Sequence, residues 1–180
     1  MHMIHASHVQ PIILMYLSNR CLCLMRKKVG IIGLGNPLRC DDGIGILLLQ
    51  YLKKNEKVLS QTIDFVDGGT SGMNLLHLIE DYDIIFLLDA VDFKGQPGDM
   101  KKFTIDEIKN QKLSLSLSTH EPGFLSVIMF LKGLDKIPKN LLIFGIQPKD
   151  MSYGMELSKE LQGVLPKLQK QILKEIQSLI

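Results

Sequence analysis

The stretch Val29-Gly-Ile-Ile-Gly-Leu34, continued by Gly35-Asn-Pro-Leu-Arg-Cys-Asp-Asp42 and then by Gly45-Ile-Leu-Leu-Leu-Gln-Tyr-Leu52, decides the fold. Its first six residues carry no polar side chain, so both faces of an extended segment would be covered, as in a parallel sheet flanked by helices. That reading makes 29–34 the expected central strand. The loop that follows is rich in turn formers. An acidic residue, Asp41 or Asp42, then opens a helix through Leu52, where a carboxylate suits the positive end of the helix dipole.

The same alternation of short apolar runs and helical stretches continues downstream, which predicts βαβ units. Ile63-Asp-Phe-Val66 reads as a second strand and Ile84-Ile-Phe-Leu-Leu88 as a third, with a short helix over 73–80 between them. Residues 99–104 read as an edge strand after the turn Gln96-Pro-Gly98, 121–131 as a helix, and Leu141-Leu-Ile-Phe-Gly145 as a further core strand. A long amphipathic helix covers 156–180, with Pro166 as a new first turn or a kink. The expected class is therefore α/β: three layers, with a mostly parallel twisted sheet of about five strands and helices on both faces.

The chain has 180 residues, 46% of them apolar and 22% charged, which fits one folded domain over 25–180. A formal charge of +2, with lysines scattered among acids, leaves no basic stripe for nucleic acid. Three cysteines, an odd number, suit a reducing compartment and point to the cytoplasm. Residues 1–24 hold the apolar run Pro11–Leu17 between histidines and Ser18-Asn-Arg20. They lack the charge and cleavage pattern of a signal peptide and the continuous length of a membrane anchor. They are expected to be a disordered or over-extended leader, and no membrane is expected as a partner.

In open parallel sheets ligands gather outside the carboxyl ends of the strands. Asn36, Asp41 and Asp42 follow the first strand, Asp67 the second and Asp89 the third, while His120 opens the helix after a polar loop. Two carboxylates and an imidazole would suit a divalent transition metal. Singly, each has a plainer role as a helix cap, a solvated strand-end acid or a helix-start histidine. A dinucleotide site is disfavoured: Gly33-Leu-Gly35 begins the G-x-G-x-x-G fingerprint, but Leu38 occupies its third glycine and the adjacent aspartates would repel a pyrophosphate.

Four blocks, in order, carry a resemblance. Gly33-Leu-Gly-Asn-Pro-Leu-Arg-Cys-Asp-Asp-Gly-Ile-Gly45, Asp67-Gly-Gly-Thr-Ser-Gly72, Asp89-Ala-Val-Asp92 with Pro97-Gly98, and Ser118-Thr-His120 resemble the motifs of the hydrogenase maturation proteases. Gly145-Ile-Gln-Pro148 fits the C-terminal part. The resemblance implies a phosphorylase/hydrolase-like fold and an endopeptidase that removes the C-terminal extension from the precursor of a nickel-iron hydrogenase large subunit. The implied metal-binding set, also the catalytic candidates, is Asp42, Asp89 and His120, meeting nickel supplied by the precursor. Asn36, Asp67, Gly68, Gly69 and Thr70 are the implied substrate-channel residues, with 67–69 a tight loop, and Asp41 reads as the helix cap. Two alternatives stand beside it. One is a non-catalytic nickel sensor using the same three residues. The other is a peptidyl-tRNA hydrolase, which shares the phrase Gly33–Pro37 but not the Asp41-Asp42 pair.

Overall fold

The computed structural model describes residues 27–55, 57, 59, 63–70, 77, 79, 82–104, 107 and 140–180. The readings for 1–24, for the helix over 121–131 and for His120 lie outside these residues. Five strands, β1 (Val29–Leu34), β2 (Ile63–Gly69), β3 (Ile84–Ala90), β4 (Met100–Thr104) and β5 (Asn140–Ile146), form one sheet in the order β2-β1-β3-β5-β4. All pairings are parallel except the antiparallel β4–β5 pair.

The middle position belongs to β3, not to β1. All six residues of β1 and all seven of β3 are buried, so an apolar run reports coverage of both faces but not rank in the sheet. Both edges are identifiable by polarity instead. On β4 only Phe103 is buried, against Ile143, while Lys101 and Lys102 face outward and discourage pairing with another chain.

Strand alternation sorts the core into two layers. On one face Val29, Ile31, Phe86, Leu88, Phe144 and Ile146 meet Ile44, Leu48 and Leu52 of α1 (Ile44–Lys54) and Leu161, Leu168, Ile172 and Ile176 of α2 (Lys159–Leu179). Helical spacing of those leucines and isoleucines supplies the apolar stripes. One helix runs through Pro166, and Ser158 caps it by accepting from the Leu161 N–H. On the other face Ile32, Ile85, Leu87, Leu141 and Ile143 pack with Phe103 and Ile79. Of the short helix expected over 73–80, positions 77 and 79 are described and helical.

The β1–α1–β2 crossover steps one way along the sheet, and the path from β2 to β3 steps back past β1. Right-handed connections must then lie on opposite faces, as α1 and Ile79 do. The reversal makes the carboxyl ends of β1 and β3 a topological switch point. Among the described residues no helix is long and apolar enough to cross a membrane.

Candidate active site at the β1–β3 switch point

Glycines set how closely α1 can approach this edge. A Cβ on Gly45 would lie 2.3 Å from the carbonyl oxygens of both Leu34 and Leu88, so only a bare backbone lets α1 begin directly above the ends of β1 and β3. Gly35 has φ +118°, a conformation L side chains rarely adopt, and turns the chain beneath the carbonyl of Asp42. Between them, Asn36 folds the loop by accepting the Leu38 N–H on its side chain and the Arg39 N–H on its carbonyl.

Asp41 and Asp42 sit in a 3-10 turn over Cys40–Gly43, and α1 starts after Gly43 without a side-chain cap. The expectation that Asp41 caps this helix is therefore wrong. Its fully buried carboxylate accepts instead from the backbone N–H groups of Lys149, Asp150 and Ser158, at 2.8, 2.8 and 2.7 Å. Those donors lie more than a hundred positions away, beyond the reach of any local cap pattern.

Asp42 is buried, and its Oδ2 accepts the Asn36 N–H at 2.9 Å. Asp89 lies inside β3 rather than after it, opposite Gly145 of β5 and in the same alternation as Ile85 and Leu87. The two acids come from opposite sides of the switch point and feel each other. Burial, then the charge of Asp42, pushes the Asp89 carboxyl up to about 8. Burial also raises Asp42, opposed by the Asn36 N–H and by the nearby Arg39 guanidinium. A pair of desolvated carboxylates with so little compensation is costly unless a proton or a cation joins it. Oxygen donors held this way fit a divalent cation. Among the described residues no third His, Cys, Asp or Glu completes a ligand set.

Two residues that the sequence reading gave no role hold the neighbouring loops. Gln147, just after β5, uses its buried Oε1 to accept from the N–H groups of Phe93 and Gly95, and its Nε2 to donate to Asp92 and to the Pro148 carbonyl. It thereby ties down the turn that leaves β3 three residues beyond Asp89. Asp92 is held down to about 2 by its bond to Lys94 and then by Gln147. Substituting Gln147→Leu removes the acceptor for two backbone N–H groups. The expected loss is about 2 kcal/mol, measured by denaturant unfolding, with faster amide exchange at Phe93 and Gly95. Arg39, the second residue, donates from Nε and Nη2 to the Met151 carbonyl and lies over the exposed Tyr153 ring.

The substrate-channel candidates divide. Asn36 belongs to the site through Asp42. Asp67, Gly68 and Gly69 are part of β2, not a separate tight loop: Asp67 pairs with Gly33, and its exposed side chain accepts the Gly69 N–H. Gly69 reaches the site's edge by accepting the Gly35 N–H at 2.9 Å, and Thr70 follows in an exposed turn.

Comparison with known proteins gives one consistent answer. A family described as hydrogenase maturation protease, HycI, matches residues 46–175. The chain is 30% identical over 140 residues to the hydrogenase expression/formation protein HupD of Rhizobium leguminosarum bv. viciae, covering 77% of this chain and 69% of that protein. It is 32% identical over 158 residues to a putative hydrogenase maturation protease of Methanocaldococcus jannaschii, covering 85% and 99%. The structure resembles that of the hydrogenase maturating endopeptidase HybD from E. coli, with TM-score 0.68, 25% identity and coverage of 84% and 93%. The phrase Gly33–Pro37 is thus no sign of a peptidyl-tRNA hydrolase. With most of its length matched, the chain belongs to the hydrogenase maturation protease family, endopeptidases of hydrogenase processing.

Proposed function

We propose that this endopeptidase removes the C-terminal extension from the nickel-loaded precursor of a nickel-iron hydrogenase large subunit, and that Asp42, Asp89 and His120 meet the precursor's nickel. The observation that carries the reading is the acid pair. Asp42 and Asp89 are both buried at the switch point and close enough to influence each other, neither belongs to an ion pair among the described residues, and ionising both is therefore costly. A cation delivered by the substrate would relieve that cost. Binding would then be selective for loaded precursor, because an empty one brings no compensating charge.

Nickel in the precursor supplies Lewis acidity that polarises a carbonyl or activates water. The chain's own work is placement. Asn36 fixes one oxygen of Asp42, β3 fixes the backbone of Asp89, and Gln147 holds the exit turn. Asn36 and the 67–70 segment border the path of the tail. The peptidase is an aspartyl-type, metal-dependent enzyme of the cytoplasm, a location supported by its odd cysteine count.

The test mixes the protein with a large-subunit precursor, with and without nickel, and follows the C-terminal peptide by mass spectrometry. Nickel-dependent loss of one peptide is expected, reduced by at least ~100-fold in Asp42→Asn. Nickel-dependent binding without cleavage would instead favour a sensor.

A further inference from the structure

Asp41 is a buried carboxylate that the acid pair does not explain. It is 0% exposed, belongs to neither ion pair among the described residues, and spends both oxygens on backbone N–H groups of one distant loop. Its own N–H donates to the Asp150 carbonyl at 3.0 Å. The seam continues on either side. Cys40 N–H donates to the Gly154 carbonyl, Gly154 N–H donates to the Leu38 carbonyl, and Arg39 grips the Met151 carbonyl. The 36–43 loop and the 147–158 loop are thus stitched into one block, with Asp41 as its buried fastening. The next residue in the chain is Asp42.

We propose that Asp41 is a positioning residue: by clamping the 147–158 loop and the start of α2 it fixes the peptide unit from which Asp42 projects toward Asp89. The geometry supports this over simple solubility or capping. An exposed acid would need no such partners, and a cap would bond its own helix. Charge-assisted bonds from three amides are strong and directional, and they meet at one point of the turn. A small displacement of a reacting group costs far more in rate than in binding. The inference rests on the catalytic reading of Asp42, but part of its test does not.

Asp41→Asn keeps one oxygen for Lys149 and Asp150 and sets an NH2 group against the Ser158 N–H, donor facing donor. At a temperature where the variant is fully folded by circular dichroism, kcat is expected to fall by about 100-fold with KM within about threefold. Amide exchange at Asn36, whose N–H reports the place of Asp42, should accelerate by at least ~10-fold. That measurement needs no substrate, so an inactive wild-type protein would remove the proposed function and leave it standing. A tether supplies rescue. A Cβ on Gly154 would sit 2.6 Å from the Cys40 Sγ, too close as it stands, but that sulfur ends a side chain that can turn. Gly154→Cys in the Asp41→Asn background therefore brings two thiols within reach of oxidation to a disulfide by oxidised glutathione. Recovery of kcat and of Asn36 protection on oxidation, reversed by reductant, is the expected result. A folded Asp41→Asn protein with wild-type kcat and unchanged Asn36 exchange would overturn the proposal. So would an oxidised double variant that folds but stays inactive while Gly154→Cys alone is active, or a double variant that does not fold even when tethered while Gly154→Cys alone folds.

Discussion

Asp89→Asn should abolish cleavage of a nickel-loaded precursor, by at least ~100-fold, and at the same time make the free protein harder to unfold at pH 8. The two effects have one cause. The carboxyl of Asp89 is pushed up to about 8 by burial and by Asp42, whereas its ordinary value is 3.8. Between those values the unfolded chain releases a proton that the folded chain retains, so wild-type stability falls as pH rises from about 4 to about 8. The asparagine has no proton to lose. Its advantage should therefore be small near pH 4, grow through neutrality and level off above pH 8, where a rise of about 5 °C in the unfolding midpoint is expected. Scanning calorimetry of both proteins at pH 4, 6 and 8 measures it. Equal midpoints at all three values would show that Asp89 is hydrated and that the acid pair carries no stored cost.

Gly35→Ala should be the most damaging single-methyl change in the described chain. The new Cβ would stand 1.8 Å from the carbonyl oxygen of Asp42, on a backbone whose φ of +118° already disfavours a side chain. Strain at such a position and overpacking against rigid backbone each cost about 1–3 kcal/mol, so a loss near 4 kcal/mol is expected. That is a large share of the stability of an ordinary domain. Gly163→Ala is the control. Nothing lies within 4 Å of its Cβ on α2, so helix propensity should stabilise it by about 0.5–1 kcal/mol. Denaturant midpoints moving the same way for both would refute the packing argument.

Much of this was readable from the chain alone, and the failures have physical reasons. Apolar runs located β1, β3 and β5 because a strand covered on both faces has little room for polar residues. The same property hid which of them is central. That Asp42 and Asp89 fall near the sheet's carboxyl edge was legible because strand ends can be counted from the apolar runs, although Asp89 proves to lie inside β3 rather than after it. The end of β2 was placed too early since a glycine pair suggests a turn, yet continued pairing with β1 carries β2 through to Gly69. The role of Asp41 was illegible: its donors are backbone amides of a distant loop, and an amide has no sequence signature.

The switch point has a consequence for when proteolytic power exists at all. Asp42 arrives on the loop that leaves β1 and Asp89 inside β3, with the whole β1–α1–β2 crossover lying between them in the chain. No contiguous fragment of the sheet short of that crossover holds both. If the pair acts as proposed above, a chain in which β3 has not yet joined β1 has no acid pair, and the capacity to cut should appear only once that pairing is made.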